Sequence, residues 1–308
     1  MRLSPQERAI LTPLVFFSLF DRPVLKTSLH QLAYRCSLTG RQVEGTIERL
    51  EGKGRIVTRH GYVALTRCER NVPLAQARDR LSDELWQDAR RVIANLAAVP
   101  FVKLIAVVNS LAFHNAHAGS DVDLLVVTEP GRLAIARDHL NAHLTLWRRR
   151  NTHGDKRGKL SVDVWMDASD LSLGSFRLRP RDIYFEYWTA WIASVLNRDQ
   201  TYEQLLAANP WLHRVFPQHK PHTVHQVTPD PVLERRRAAW EAFYRSSLGQ
   251  RLGAWQAEWQ HERLARFEER VRTKGTVLIS PRRLRFHVPD RRPEYQAAFE
   301  ARWQEQTA

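Results

Sequence analysis

The chain has 308 residues, 43 % of them hydrophobic and 26 % charged, with a formal net charge of +14 at pH 7. Such a chain can build two or three domains with packed cores, which excludes a disordered or low-complexity protein. The positive excess favours a polyanionic partner such as a nucleic acid, a nucleotide or an anionic membrane surface, against the alternative of a solvated Arg-rich face.

Cys36 and Cys68 are the only cysteines and have no paired metal spacing. A reducing compartment and no zinc site are expected. The apolar run "AILTPLVFFSLF" is too short to span a bilayer. Asp21-Arg22 follows it where a signal peptide needs small residues, so a core helix in a cytoplasmic, non-membrane protein is expected.

In chain order, residues 1–66 read as a compact module. Ser4 is placed to cap a first helix that has Pro5 at its first position. A second short helix fits "KTSLHQLAYR". A third fits "SLTGRQVEGTIERLEGKG", where Val43, Ile47 and Leu50 share one face. "RIVTRHGYVAL" alternates about His60-Gly61 as a hairpin does. Three helices closed by a hairpin resemble a winged helix-turn-helix domain. The resemblance implies that the third helix enters the DNA major groove, with Arg41, Gln42, Glu44, Arg49 and Arg59 as candidate contacts. Winged helices also dock proteins, so a protein partner stands beside DNA or RNA for this module.

Residues 67–100 connect, mostly as a long helix over 74–99. From 101 to 175 the order is strand, short helix or loop, strand, helix, strand: "FVKLIAVVNS", "DVDLLVVT", "RLAIARDHLNAHLTLWRRR" and "LSVDVWM". This predicts an α+β fold with a small mixed sheet. Residues 176–308 read as mainly helical. "RDIYFEYWTAWIASVL" fits a core helix, "DQTYEQLLAANPW" a helix stopped by Pro210, and 230–275 a charged helix broken near Gly249 and Gly253. A strand-like "GTVLIS" and a last helix follow.

One strand is chemically odd. "DVDLLVVT" is apolar and yet opens with Asp121 and Asp123, which project to the same side about 7 Å apart. Ionised carboxylates that close repel, and a divalent metal with hard oxygen ligands relieves the repulsion. Asp163 stands alone in the third strand and completes a triad if the two strands are neighbours. Ser110 ends the first strand, where a helix start offers N–H groups and a hydroxyl to a phosphate.

"NS" at Asn109-Ser110, "SDVDLLVV" from Ser120 to Val127, and Asp163 resemble the nucleotidyltransferase superfamily that includes DNA polymerase beta. The match covers roughly residues 101–170. "NSLAFHNAHAGSDVDLLVVTEPGRLAIAR", "AANPW" and "RRLRFH" are also similar to segments of bacterial nucleotidyltransferase-domain proteins. The resemblance implies Mg²⁺, one ion or two, held by Asp121, Asp123 and Asp163. It implies transfer of an NMP group from an NTP to an acceptor that is nucleic acid, protein or small molecule. Asn109, Ser110 and Ser120 would bind the nucleotide, and Arg132 would neutralise charge. Asn109 stands where the superfamily has Gly.

Other patterns are expected to be structural. His139 and His143 lie one turn apart on a helix, a metal-capable spacing that lacks a third ligand. His114 and His117 fall in the loop before the acids, and Arg148 and His153 match a ribonuclease spacing by coincidence. Arg282, Arg283, Arg285 and His287 form either a solvated basic face or a grip on a triphosphate or RNA. Two rival readings remain: a winged-helix regulator with a degenerate or sensory nucleotidyltransferase domain, and a scaffold.

Overall fold

The computed structural model describes residues 3–151, 156–271, 276–287 and 289–307. Helix α1 (Pro5–Ser18) starts with a reciprocal cap. The Ser4 hydroxyl accepts from the Glu7 amide at 3.2 Å, and the Glu7 carboxylate accepts from the Ser4 amide at 2.9 Å. Pro13, inside the helix, has no N–H to offer the Ala9 carbonyl; the Tyr34 N–H takes it at 3.1 Å instead. The chain continues through β1 (Val24–Leu25), α2 (Leu29–Leu32), α3 (Gly40–Gly52), β2 (Ile56–Arg59) and β3 (Tyr62–Leu65). The three strands form an antiparallel sheet in the order β1-β3-β2.

There follow α4 (Val72–Asn95), β4 (Val102–Val108), α5 (Asn109–Ala112), β5 (Val122–Thr128), α6 (Leu133–Leu146) and β6 (Leu160–Asp167). Next come α7 (Ile183–Ala190), β7 (Ala193–Asn197), α8 (Thr201–Ala207), α9 (Trp211–Val215), α10 (Pro231–Arg245) and α11 (Ser247–Val271). Strands β8 (Thr276–Ile279) and β9 (Arg283–His287) and helix α12 (Arg292–Thr307) complete the order. Among the described residues, six strands make one mixed sheet in the order β7-β4-β5-β6-β9-β8, in which β5 and β6 run parallel and the other neighbours antiparallel.

The α+β fold and the mixed sheet agree with the sequence reading; the boundary at 175/176 does not. Strands β7, β8 and β9 come from the region read as helical and extend the sheet at both edges. The expected helix over 181–196 ends at Ala190, because the segment Ala193–Asn197 pairs with β4. A short apolar run carries no period that separates a buried helix from a buried strand. Residues 1–66 are not self-contained either. Phe16 stacks on Tyr187 of α7 at 4.3 Å, and Leu212, Phe216 and Phe299 join the same core.

Two further cores fill the faces of the large sheet. Leu124, Val126 and Trp165 meet Trp86 of α4, Leu140 of α6 and Leu264 of α11. Leu125, Val127 and Val164 meet Phe185 and Trp188 of α7 and Leu205 of α8. The long charged helix breaks between Arg245 and Ser247, not at its glycines. Gly249 and Gly253 are buried inside α11, where a Cβ would overlap the Phe243 carbonyl or meet Ile135 at 2.7 Å. The absent side chains let α11 approach α10 and α6 closely. Among the described residues, no helix is long and apolar enough to cross a membrane.

Candidate functional site

Three strand ends assemble the site. Val108, the last residue of β4, pairs with Asp123, and Asp123 pairs with Ser161 of β6. Asn109 therefore arrives beside the head of β5. At this level β6 holds one residue too many: Leu124 pairs with Val162 and Leu125 with Val164, which leaves Asp163 between them. A bulge of this kind re-aims a side chain. Val162 and Trp165 pack on one face of the sheet while Val164 packs on the other, and Asp163 turns toward Asn109.

Asn109 has φ 58°, in the left-handed region that glycine enters freely and that Asn tolerates better than most residues. The backbone shape that Gly would provide survives with Asn in place. The Asn109 amide donates to Asp123 at 2.9 Å and to Asp163 at 3.1 Å, and its oxygen accepts from the Tyr184 hydroxyl at 3.2 Å. The Ser161 hydroxyl donates to the other Asp123 oxygen at 2.8 Å. Asp121, just ahead of the strand, accepts from the Asn151 amide.

The electrostatics favour a cation. Burial first, then the neighbouring Asp121, pushes the Asp123 carboxyl up to about 6. Asp163 is driven well above the usual carboxylate range by burial, then by Asp123 and Asp121. These hard oxygen donors suit Mg²⁺ chemically. Their present positions do not form a cage: among the described residues, no group of three His, Cys, Asp or Glu is placed to hold a metal. The Asn109 amide stands between two of the acids and Asn151 holds the third, so those bonds must open before an ion binds all three.

A cleft of about 350 Å³ opens beside the acids. Asp163, Ser161 and Asn151 form one side, and Arg137, Arg150, Arg263 and Arg270 bring four guanidinium groups to it. Arg137 is itself held, donating to Gln260 at 3.0 Å, and burial pulls its guanidinium down to about 10. Trp165, Phe267 and Phe286 add aromatic walls. Arginine forks matched to phosphate oxygens and flat apolar surfaces are what a nucleotide needs.

The remaining expected residues divide. Ser110 is half-buried and follows Asn109 in α5, whose single turn carries little helix dipole. Ser120 is buried and builds the loop, its hydroxyl accepting from the His117 amide at 2.9 Å. Arg132 stands away from the acids. It follows the far end of β5, about 20 Å along the strand from the acids, and its guanidinium lies 5.0 Å from the centre of the Phe101 ring.

The lesser motifs are mostly structural. His139 shares a 3.0 Å hydrogen bond with the Tyr244 hydroxyl, and burial holds its ring down to about 4. His143 bonds the His139 carbonyl at 2.8 Å. His117 shapes the loop before Ser120, accepting from the Gly119 amide at 3.2 Å. His114 lines a separate cavity of about 430 Å³, 4.0 Å from Asp83. Arg283 and Arg285 are buried in β9, bonded to Asp170 and Ser175 and to the Phe176 carbonyl, so they are not free for phosphate. Arg282 is exposed; His153 and the His287 side chain lie outside the described residues.

Sequence reasoning missed Asn151, Ser161, Tyr184 and the cleft arginines. Ser161 had a signal, two positions before Asp163 in the same strand. The others come from a basic loop and from helices distant in sequence, and only the tertiary fold gathers them. No protein-family model matches the chain, and comparison with curated proteins and with solved structures gives no match either.

Proposed function

We propose that this chain is a Mg²⁺-dependent nucleotidyltransferase that moves an NMP group from an NTP to an acceptor hydroxyl. One observation carries the reading: Asn109-Ser110, Asp121, Asp123 and the bulged Asp163 meet at three adjacent strand ends, beside an arginine-lined cleft. The order of these elements is the one that resembles the nucleotidyltransferase superfamily.

Asp121, Asp123 and Asp163 would hold the ion after the Asn109 amide swings aside. Bound Mg²⁺ supplies charge neutralisation on the triphosphate and polarisation of its α-phosphoryl group. Asp163, ionised once the ion is held, would take the proton of the acceptor hydroxyl. That oxygen then bonds to the α-phosphorus as the bond to pyrophosphate breaks. Arg137 and Arg150 would grip phosphate oxygens in the cleft, and the Ser110 hydroxyl would donate to the departing pyrophosphate.

The test is calorimetric titration of each NTP with and without Mg²⁺, on the wild type and on Asp121→Asn/Asp123→Asn. Metal-dependent binding that disappears in the variant, with unchanged circular dichroism, supports the reading. Equal affinity in the variant defeats it.

A second reading has its own observation: the Asn109 amide already donates to both half-buried acids. The chain would then be a nucleic-acid-binding regulator, with residues 1–66 as a winged helix and the acid cluster as a sensor or remnant. Arg41, Gln42, Glu44 and Arg49 are all exposed on α3, and Arg41 is the candidate chosen for the test because the others are held. Gln42 instead caps that helix, Arg49 bonds Gln6 and Thr46, Glu44 pairs with Lys26, and Arg59 pairs with Glu69. Duplex DNA binding with a steep salt dependence, weakened by Arg41→Glu, and no NTP binding would establish this reading. Because the core of residues 1–66 is shared, point variants replace deletion in this test.

A further inference from the structure

Helix α11 has an apolar stripe facing away from the body of the protein. Its buried side is Gly249, Gly253, Gln260 and Leu264. Leu248, Leu252, Trp255 and Trp259 are instead 68 %, 37 %, 61 % and 43 % exposed. Spacings of four, three and four gather these four side chains within about 60° of the helix circumference, centred about 120° from the buried side. Alternating three- and four-residue steps are the seam of a helix that pairs with another helix. Isolated exposed apolar residues are ordinary, but two tryptophans and two leucines in one register form a patch.

We propose that this stripe is an interface with a second copy of the chain, in which the two α11 helices lie antiparallel across a two-fold axis. The stripe is its own complement in that arrangement. An axis between residues 253 and 254 sets Leu248 against the partner's Trp259 and Leu252 against the partner's Trp255, so every layer matches a smaller side chain with a larger one. A parallel pair would put Trp on Trp and Leu on Leu, with layers of unequal width. Charge agrees with the antiparallel choice. Arg251 and Glu258 are both exposed and flank the stripe on the same edge. The axis brings Arg251 to within about 3 Å, measured along the helix, of the partner's Glu258. Two opposite-charge pairs result, related by the symmetry that an isologous dimer requires.

The net charge of +14 opposes association over long range. At physiological salt the Debye length is about 8 Å, which leaves the contact itself to short-range packing and the two ion pairs.

The experiment is sedimentation velocity of the full chain over a concentration series up to about 0.1 mM, a range that detects even weak dimers. The wild type is expected to pass from one to two copies with rising concentration. Trp255→Glu should remain a single copy throughout, with unchanged circular dichroism. Arg251→Glu and Glu258→Arg should each weaken the dimer several-fold, and the two combined should restore it. A wild type that stays a single copy overturns the proposal, leaving the stripe to a different protein. A dimer that survives Trp255→Glu, or a charge swap that fails to restore it, overturns it as well. None of these readouts depends on nucleotide binding.

Discussion

Asn109 reaches across the head of β5 to donate to Asp163 on β6 at 3.1 Å, while the same amide nitrogen holds Asp123 at 2.9 Å. One neutral donor thus serves two acids that burial and proximity push toward protonation. Glycine would keep the backbone at φ 58° and remove the amide. Asn109→Gly is expected to lower the melting temperature of the metal-free protein by a few degrees and to raise Mg²⁺ affinity several-fold. Calorimetry with Mg²⁺ alone reads the second effect. Equal or weaker Mg²⁺ binding in the variant would show that the amide and the ion do not compete.

Asp163 is repelled by both Asp123 and Asp121, on top of the effect of burial. Asp163→Asn removes its charge but keeps an oxygen to accept from Asn109. The metal-free variant is expected to gain on the order of 1 kcal/mol, which in a chain of this size is a few degrees of melting temperature. The same variant should lose the thermal stabilisation that Mg²⁺ confers on the wild type. A metal-free variant that melts lower than the wild type would remove the case for repulsion among the acids.

The acid site was the most legible part of the sequence, and the reason is local. Asp121 and Asp123 contradict the apolar strand they open, and Asp163 does the same in its own strand, so each is visible without knowledge of the fold. Asn109 was visible too, but not its effect: φ 58° and a double hydrogen bond are tertiary facts. The extent of the sheet was not legible. Ala193–Asn197 is as apolar as the helix before it, and Arg283 and Arg285 look like solvent-facing charges until β9 is seen beside β6. Gly249 and Gly253 read as helix breakers although both serve close helix contact.

Two arginines separate binding from folding. Arg150 lines the cleft, half-exposed, whereas Arg283 is buried and bonded to Asp170 and Ser175. Arg150→Ala is expected to weaken Mg²⁺–NTP binding by about tenfold, the cost of one charge-assisted phosphate contact, with little change in melting. Arg283→Ala should destabilise the protein by about 2 kcal/mol, because it removes a buried side chain that ties β9 to Asp170 and Ser175. Melting curves and nucleotide titrations on the pair check both halves. A stability loss in the Arg150 variant equal to that in the Arg283 variant would make the cleft a structural feature.

Acid should destabilise this protein through its histidines, against an opposite contribution from Asp123 and Asp163, whose raised carboxyls take up protons first in the fold. His139, His222 and His225 are each held down to about 4, against an ordinary value of 6.5. Burial is the main cause for all three. His143 adds to it for His139, His219 for His222, and His114 for His225. Between pH 6.5 and 4 the unfolded chain binds protons at these rings that the folded chain refuses. Stability is therefore fully present above the unfolded value and falls as pH drops through that window. Because the rings are only partly buried, each contributes on the order of 1 kcal/mol rather than the full linkage value. Denaturant titrations at steps from pH 7 to pH 4 should show the loss, and His222→Gln should flatten the slope in that window. A His222→Gln variant with the same slope as the wild type in that window would mean that this ring accepts protons freely in the fold.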